Sequence, residues 1–83
     1  MDIYYKNFCQ NIRHLRQVHN LTQRQMAQLL GISVNTLGRM ERCEAAVRIH
    51  SGILCRVCDC FDVSSDALLR ENWPEMLKKS RNE

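Results

Sequence analysis

Apolar residues recur at Phe8, Ile12, Leu15 and Val18, the three-to-four spacing of a helix buried along one face. Asp2 stands where it can cap that helix, and Asn20, a residue that tolerates the left-handed conformation, marks its end. Thr22 followed three residues later by Gln25 is a capping box. The short helix it opens carries Met26, Ala27 and Leu30 on one face and stops at Gly31. Ser33 then caps a third helix with Leu37 and Met40 inward. A fourth is predicted from about residue 49–51 to Phe61, and Ser64 or Ser65 starts a fifth through Leu68 and Leu69. Trp73-Pro74 reads as a break, with a final turn at Met76-Leu77 beyond it. The pattern predicts an all-α protein.

Length and composition narrow this further. Eighty-three residues make one small domain, residues 1–83, with a single core. One Pro and three Gly disfavour disordered, collagen-like and turn-rich all-β classes. No apolar run approaches the roughly 18–20 residues of a membrane span, so no membrane partner is expected. The start, MDIYYKNFCQ, lacks the basic-then-apolar order of a secretory signal. Five cysteines are an odd number, and three of them crowd into Cys55, Cys58 and Cys60, which fits a reduced cytoplasmic compartment better than a disulfide framework.

The net charge of +3 is modest, but it is unevenly placed. Residues 10–48 hold Arg13, Arg16, Arg24, Arg39, Arg42 and Arg48 against Glu41 and Glu44, whereas residues 49–83 are slightly acidic. An arginine-rich middle is what a phosphate-facing surface requires.

That middle contains QRQMAQLLGISVNTLGRMER, running from Gln23 to Arg42. Apolar residues fall at Met26, Leu30, Ile32, Leu37 and Met40, with Ala27 and Gly31 between them. Two short helices that cross steeply need a small contact residue, supplied by Ala27. The turn between them needs a positive φ, supplied by Gly31. These positions together are in register for a helix-turn-helix; the competing interpretation is a helical hairpin without a ligand.

On these residues the chain resembles the phage repressor/Cro-like helix-turn-helix family, also called the xenobiotic-response-element type. The likeness covers about residues 12–69, through Ile12, Leu15-Arg16, Leu21-Thr22-Gln23, Met26-Ala27, Leu30-Gly31-Ile32-Ser33, Glu41 and Phe61-Asp62-Val63-Ser64 with Leu68. Residues 70–83 form a C-terminal extension. The resemblance implies a compact five-helix bundle of the lambda-repressor-like DNA-binding type, with the helix-turn-helix at helices 2 and 3. It also implies a homodimer on double-stranded operator DNA, with the third helix in the major groove. Val34, Asn35 and Arg39 match the base-facing positions: Asn suits adenine, Arg suits guanine, and Val34 can meet a thymine methyl. Gln23, Thr36 and Arg42 match phosphate contacts, Gln23 at a helix N-terminus where the dipole favours an anion. Arg16 and Glu41 match a structural pair between the first and third helices. Gly38 sits in the middle of the third helix, at a cost of about 1 kcal/mol relative to Ala, where it either admits a close backbone approach or is merely tolerated. The family commonly places Gly soon after that Glu and Pro before the fourth helix. Here those places read Arg42-Cys43-Glu44 and Ala45-Ala46-Val47-Arg48-Ile49, which predicts a partly helical loop.

Cys55-x-x-Cys58-x-Cys60 has a superficial metal-site spacing. At about 100° per residue Cys60 points away from the face shared by Cys55 and Cys58, so tetrahedral convergence requires the helix to break. Small core residues are the stronger interpretation, and no metal is expected. Cys43 is expected to be exposed in the loop after the third helix. His14, His19 and His50 share no ligand spacing and are expected at the surface. With no glycine-rich phosphate loop and no nucleophile motif, neither an enzyme nor a bound cofactor is expected. A small-molecule effector is not expected within a chain this short, which resembles a stand-alone regulator or an antitoxin-like partner. Two functions stand: a sequence-specific binder of double-stranded DNA, and a small interaction or thiol/metal-responsive module on the same fold. Charge placement and the base-capable residues of the third helix favour the first. Leu69, Trp73, Met76 and Leu77 are the expected dimer contact, with Phe8 and the tyrosines as the second choice.

Overall fold

Every helix of the computed structural model begins at a side chain that takes an otherwise orphan backbone amide. The structure describes residues 2–44 and 47–81, although not the side chains of residues 80 and 81. The elements are α1 (Ile3–Val18), α2 (Gln23–Leu30), α3 (Val34–Glu41), α4 (Ser51–Phe61), α5 (Ser65–Arg70) and α6 (Trp73–Arg81). Asp2, Thr22, Ser33, His50 and Ser64 cap the first five. The Thr22 box is complete, with Gln25 accepting from the Thr22 amide at 2.9 Å while its own amide donates to the Thr22 hydroxyl at 3.1 Å.

Four left-handed residues close the first four helices: Asn20, Gly31, Cys43 and Asp62. Cys43 takes the place of the expected glycine. Its amide donates to the Met40 carbonyl at 2.9 Å and the Glu44 amide to the Arg39 carbonyl at 3.1 Å, the paired bonds of a Schellman end. The chain therefore turns sharply after α3, and Val47–Ile49 are not helical. The rest of the loop expected to be partly helical, Ala45 and Ala46, lies outside the described residues.

The all-α class and the placing of the helix-turn-helix at α2 and α3 hold, and the C-terminus differs. The expected break after α5 falls at Glu71 and Asn72, and Trp73-Pro74 opens α6, a nine-residue helix where only a final turn at Met76-Leu77 was expected. Proline in a first turn forfeits an amide that would have had no helical partner anyway. Asn72 caps the new helix, accepting from the Glu75 amide at 3.1 Å. Val18, placed on the apolar face by its spacing, is 59% exposed, because α1 ends there and the chain turns away.

Phe8, Ile12, Met26, Ala27, Leu30, Leu37, Met40, Ile53, Val57 and Leu68 form one core. Phe8 is fully buried, which removes it from any dimer surface. On the core side of α1, two asparagines interrupt the apolar pattern. Asn11 is fully buried, and its amide nitrogen donates to the Leu68 and Glu71 carbonyls, each at 2.8 Å. Its oxygen accepts from the Trp73 amide at 2.9 Å. Asn7 donates to the Leu69 carbonyl at 2.9 Å. These bonds fasten the end of α5 and the start of α6 to α1. Asn11→Ala should lower stability by about 2–3 kcal/mol, since it strands two carbonyls and an amide. Urea denaturation checks this, and a loss below about 0.5 kcal/mol would show that water or neighbours replace all three bonds.

Candidate nucleic-acid interface

Gly31, at φ 69°, and the Ser33 cap set α3 against α2 so that Leu37 and Met40 are fully buried. The opposite face of α3 carries Val34 and Asn35, both exposed, and Arg39, half-buried and one turn beyond Asn35. Thr36 is half-buried and tied into the cap: its amide donates to the Ser33 hydroxyl at 3.0 Å, and the Ser33 hydroxyl donates to its oxygen at 2.8 Å. At the far end, Glu44 reaches back to two arginines. Arg42 binds its carboxylate at 2.8 Å and Arg39 at 3.4 Å. Arg42 first, and Arg39 with it, hold the Glu44 carboxyl below the usual carboxylate range.

Behind this face lies the Arg16–Glu41 pair. Arg16 Nε and Nη2 donate to the two Glu41 oxygens at 2.7 and 3.0 Å, a bidentate fork. The side chains are 17% and 5% exposed. Arg16 Nη1 also donates to the Leu21 carbonyl at 3.1 Å, so one guanidinium joins α1, the α1–α2 turn and α3. The hydrogen bonds that Arg16 donates to Glu41 raise its pKa further, against the opposing effect of burial. Gln23 enters the same cluster, its side-chain amide donating to Glu41 at 3.2 Å.

Gly38 has a structural reason that its sequence position did not decide. It is buried, and a Cβ built there would lie 3.3 Å from Arg42 Nη1 and 4.0 Å from Gln23 Nε2. Without a side chain, Gly38 floors a cavity of about 230 Å³ lined by Arg13, Arg16, Gln23, Glu41 and Arg42. Three guanidiniums surround this small cleft, and Glu41 is already bonded to one of them. The structure thus gathers Gln23 and Arg42 at one place and sets Val34, Asn35 and Arg39 on the neighbouring helix face, with Thr36 between cap and surface. Arg13 was not singled out by the sequence, although it is one helical turn from Arg16 within the arginine-rich middle.

The cysteines correct the expectation of a small-residue core. Cys55 and Cys60 are exposed and Cys58 is half-buried, and the residues α4 buries are instead Ile53 and Val57. Burial and the nearby Cys55 and Asp59 push the Cys58 thiol up. Among the described residues, no three His, Cys, Asp or Glu side chains gather as metal ligands. The fully buried cysteine is Cys9, its pKa pushed up to about 12 by burial and then by its hydrogen bond with Cys43. Cys43, expected at the surface, is half-buried against the core. Of the histidines, His14 is half-buried, His50 caps α4, and exposed His19 sets its ring 5.0 Å from that of Phe61. Among the described residues no helix is long and apolar enough to cross a membrane.

Comparison with known proteins places this geometry in context. A family model described as a helix-turn-helix domain matches residues 9–71, most of the chain and all of α2 and α3. The antitoxin PezA of Streptococcus pneumoniae serotype 4 is similar, at 39% identity over 54 residues, covering 65% of this chain. That match spans 33% of the antitoxin's own length, so the likeness concerns a third of the larger protein. No solved structure matches the chain.

Proposed function

Because the chain belongs to the helix-turn-helix domain family, we propose that it is a cytoplasmic DNA-binding regulator of the repressor/Cro type, acting as a homodimer with α3 in the major groove. The observation that carries this reading is the placing of base-capable Val34, Asn35 and Arg39 beside an arginine-lined cleft floored by Gly38. Asn35 and Arg39 read bases through paired hydrogen bonds, and Val34 packs on a thymine methyl. Gln23 and Arg42, which both line the cleft over Gly38, hold a phosphate, and the Thr36 hydroxyl keeps its own hydrogen to donate to another. Arg39 and Arg42 exchange Glu44 for DNA on binding. The family and the antitoxin likeness support a regulator over an enzyme.

Two copies are required because one helix-turn-helix reads only a few base pairs, and half-sites lie about 34 Å apart. Of the residues expected at the contact, Leu69 and Trp73 pack against the core, which leaves Met76 and Leu77, each about half exposed, to carry it. A monomer in sedimentation, both alone and on DNA, would remove the dimer from this account.

The test is a titration of a palindromic duplex, selected from a random pool, at several salt concentrations. With Arg42 of each copy neutralising one phosphate, affinity should fall roughly tenfold between 50 and 200 mM salt, through counterion release. No duplex binding even at low salt would instead favour the interaction module.

A further inference from the structure

A second, larger groove opens beyond the end of α3, and none of Val34, Asn35 and Arg39 lines it. Its walls include Arg13 and His14 of α1, Arg42 after α3, and Pro74, Glu75 and Lys78 of α6, around about 450 Å³. Arg13 and Arg42 also line the small cleft over Gly38, so the two cavities share a wall. All of α6 lies past residue 71, where the match to the helix-turn-helix family stops. Its position is nevertheless fixed. Asn72 donates to the Asn7 and Gln10 side chains at 3.2 and 2.6 Å, and the Trp73 amide donates to buried Asn11. Lys78 follows five residues later, about 7.5 Å along the helix axis.

The charge in this groove is not neutralised. Arg13 and Lys78 are exposed and make no ion pair with any described residue. Of the carboxylates nearby, Glu41 is held by Arg16 and Gln23, which leaves Glu75 against two cations. Lys79, the next residue, does not line the groove.

We propose that this groove is a second seat for the DNA backbone, in which Arg13 and Lys78 hold phosphates flanking the stretch that α3 reads. The proposal rests on the DNA-binding reading above and adds α6 to it. The shared wall of Arg13 and Arg42 is what favours a polymeric phosphate chain here: a strand seated over Gly38 continues past Arg42 and arrives between Arg13 and Lys78. Such contacts add affinity without sequence preference, because phosphates are alike in every site.

The experiment compares Lys78→Gln, Arg13→Gln and Lys79→Gln in the full chain, on the selected duplex and on a random duplex, at three salt concentrations. Lys78→Gln and Arg13→Gln should each weaken both duplexes by at least about 3–10-fold at low salt and reduce the salt slope by about two, one for each subunit of the dimer. Lys79→Gln, the same charge change one residue away, should leave the slope unaltered. All three positions are exposed, and equal melting temperatures confirm that folding is untouched. Wild-type slope in Lys78→Gln, or the same loss in Lys79→Gln, would overturn the second seat while leaving base reading by α3 intact. An unmodified chain that binds no duplex would overturn both.

Discussion

Arg16→Ala should destabilise the domain by about 3–5 kcal/mol, the range for breaking a buried ion pair by removing one partner. The Glu41 carboxylate is 5% exposed and would lose both bonds of the fork. The Leu21 carbonyl would lose its donor as well. A domain of this length has a total stability of only about 4–12 kcal/mol, so the variant should be partly unfolded at modest temperature. Weaker DNA binding would follow from the loss of folded protein. Arg16→Ala/Glu41→Gln tests the cause, because removing the buried charge together with its partner should recover part of the stability. Urea denaturation reads both variants. A loss below about 1 kcal/mol for Arg16→Ala would mean that the pair behaves as a surface ion pair.

Asn35→Ala with Arg39→Ala should reduce affinity for the selected duplex by about 2–6 kcal/mol per half-site, at roughly 1–3 kcal/mol for each base contact. Both side chains point outward, and neither contributes to the core. Stability should therefore change little. Binding to random duplex should persist, because Gln23, Arg42 and the arginines around Gly38 remain. The discriminating comparison uses each single variant on the selected site and on its single-base changes. Arg39→Ala should flatten the preference at one position; equal losses on every duplex would reassign Arg39 to the backbone.

The helix-turn-helix was legible because its requirements are local. A small residue at Ala27, a positive φ at Gly31, caps at Thr22 and Ser33, and apolar residues in register all show in twenty consecutive letters. Residues whose meaning depends on a distant partner did not show. Asn7 and Asn11 fall on the buried face of α1 and look like flaws in its periodicity until α5 and α6 present carbonyls to them. Pro74 signals a break or a helix start equally well, and the choice is made by Asn72 just before it. Cys43 closes α3 where the family commonly places a glycine, since paired backbone bonds and core contact hold it left-handed. Gly38 takes its meaning from Arg42 and Gln23, both of which lie within 4.0 Å of where a Cβ would stand. Glu44, which engages both Arg39 and Arg42, lies in a segment whose path could not be drawn from hydrophobic spacing.

The most direct test is an amide chemical-shift titration of the labelled chain with the selected duplex. The largest changes should fall on Gln23, Val34, Asn35, Thr36, Arg39 and Arg42, with the exposed start of α1 at Ile3 and Tyr4 little affected. Changes concentrated at Ile3, Tyr4 and α5, or no changes at any salt concentration, would contradict DNA recognition by α3.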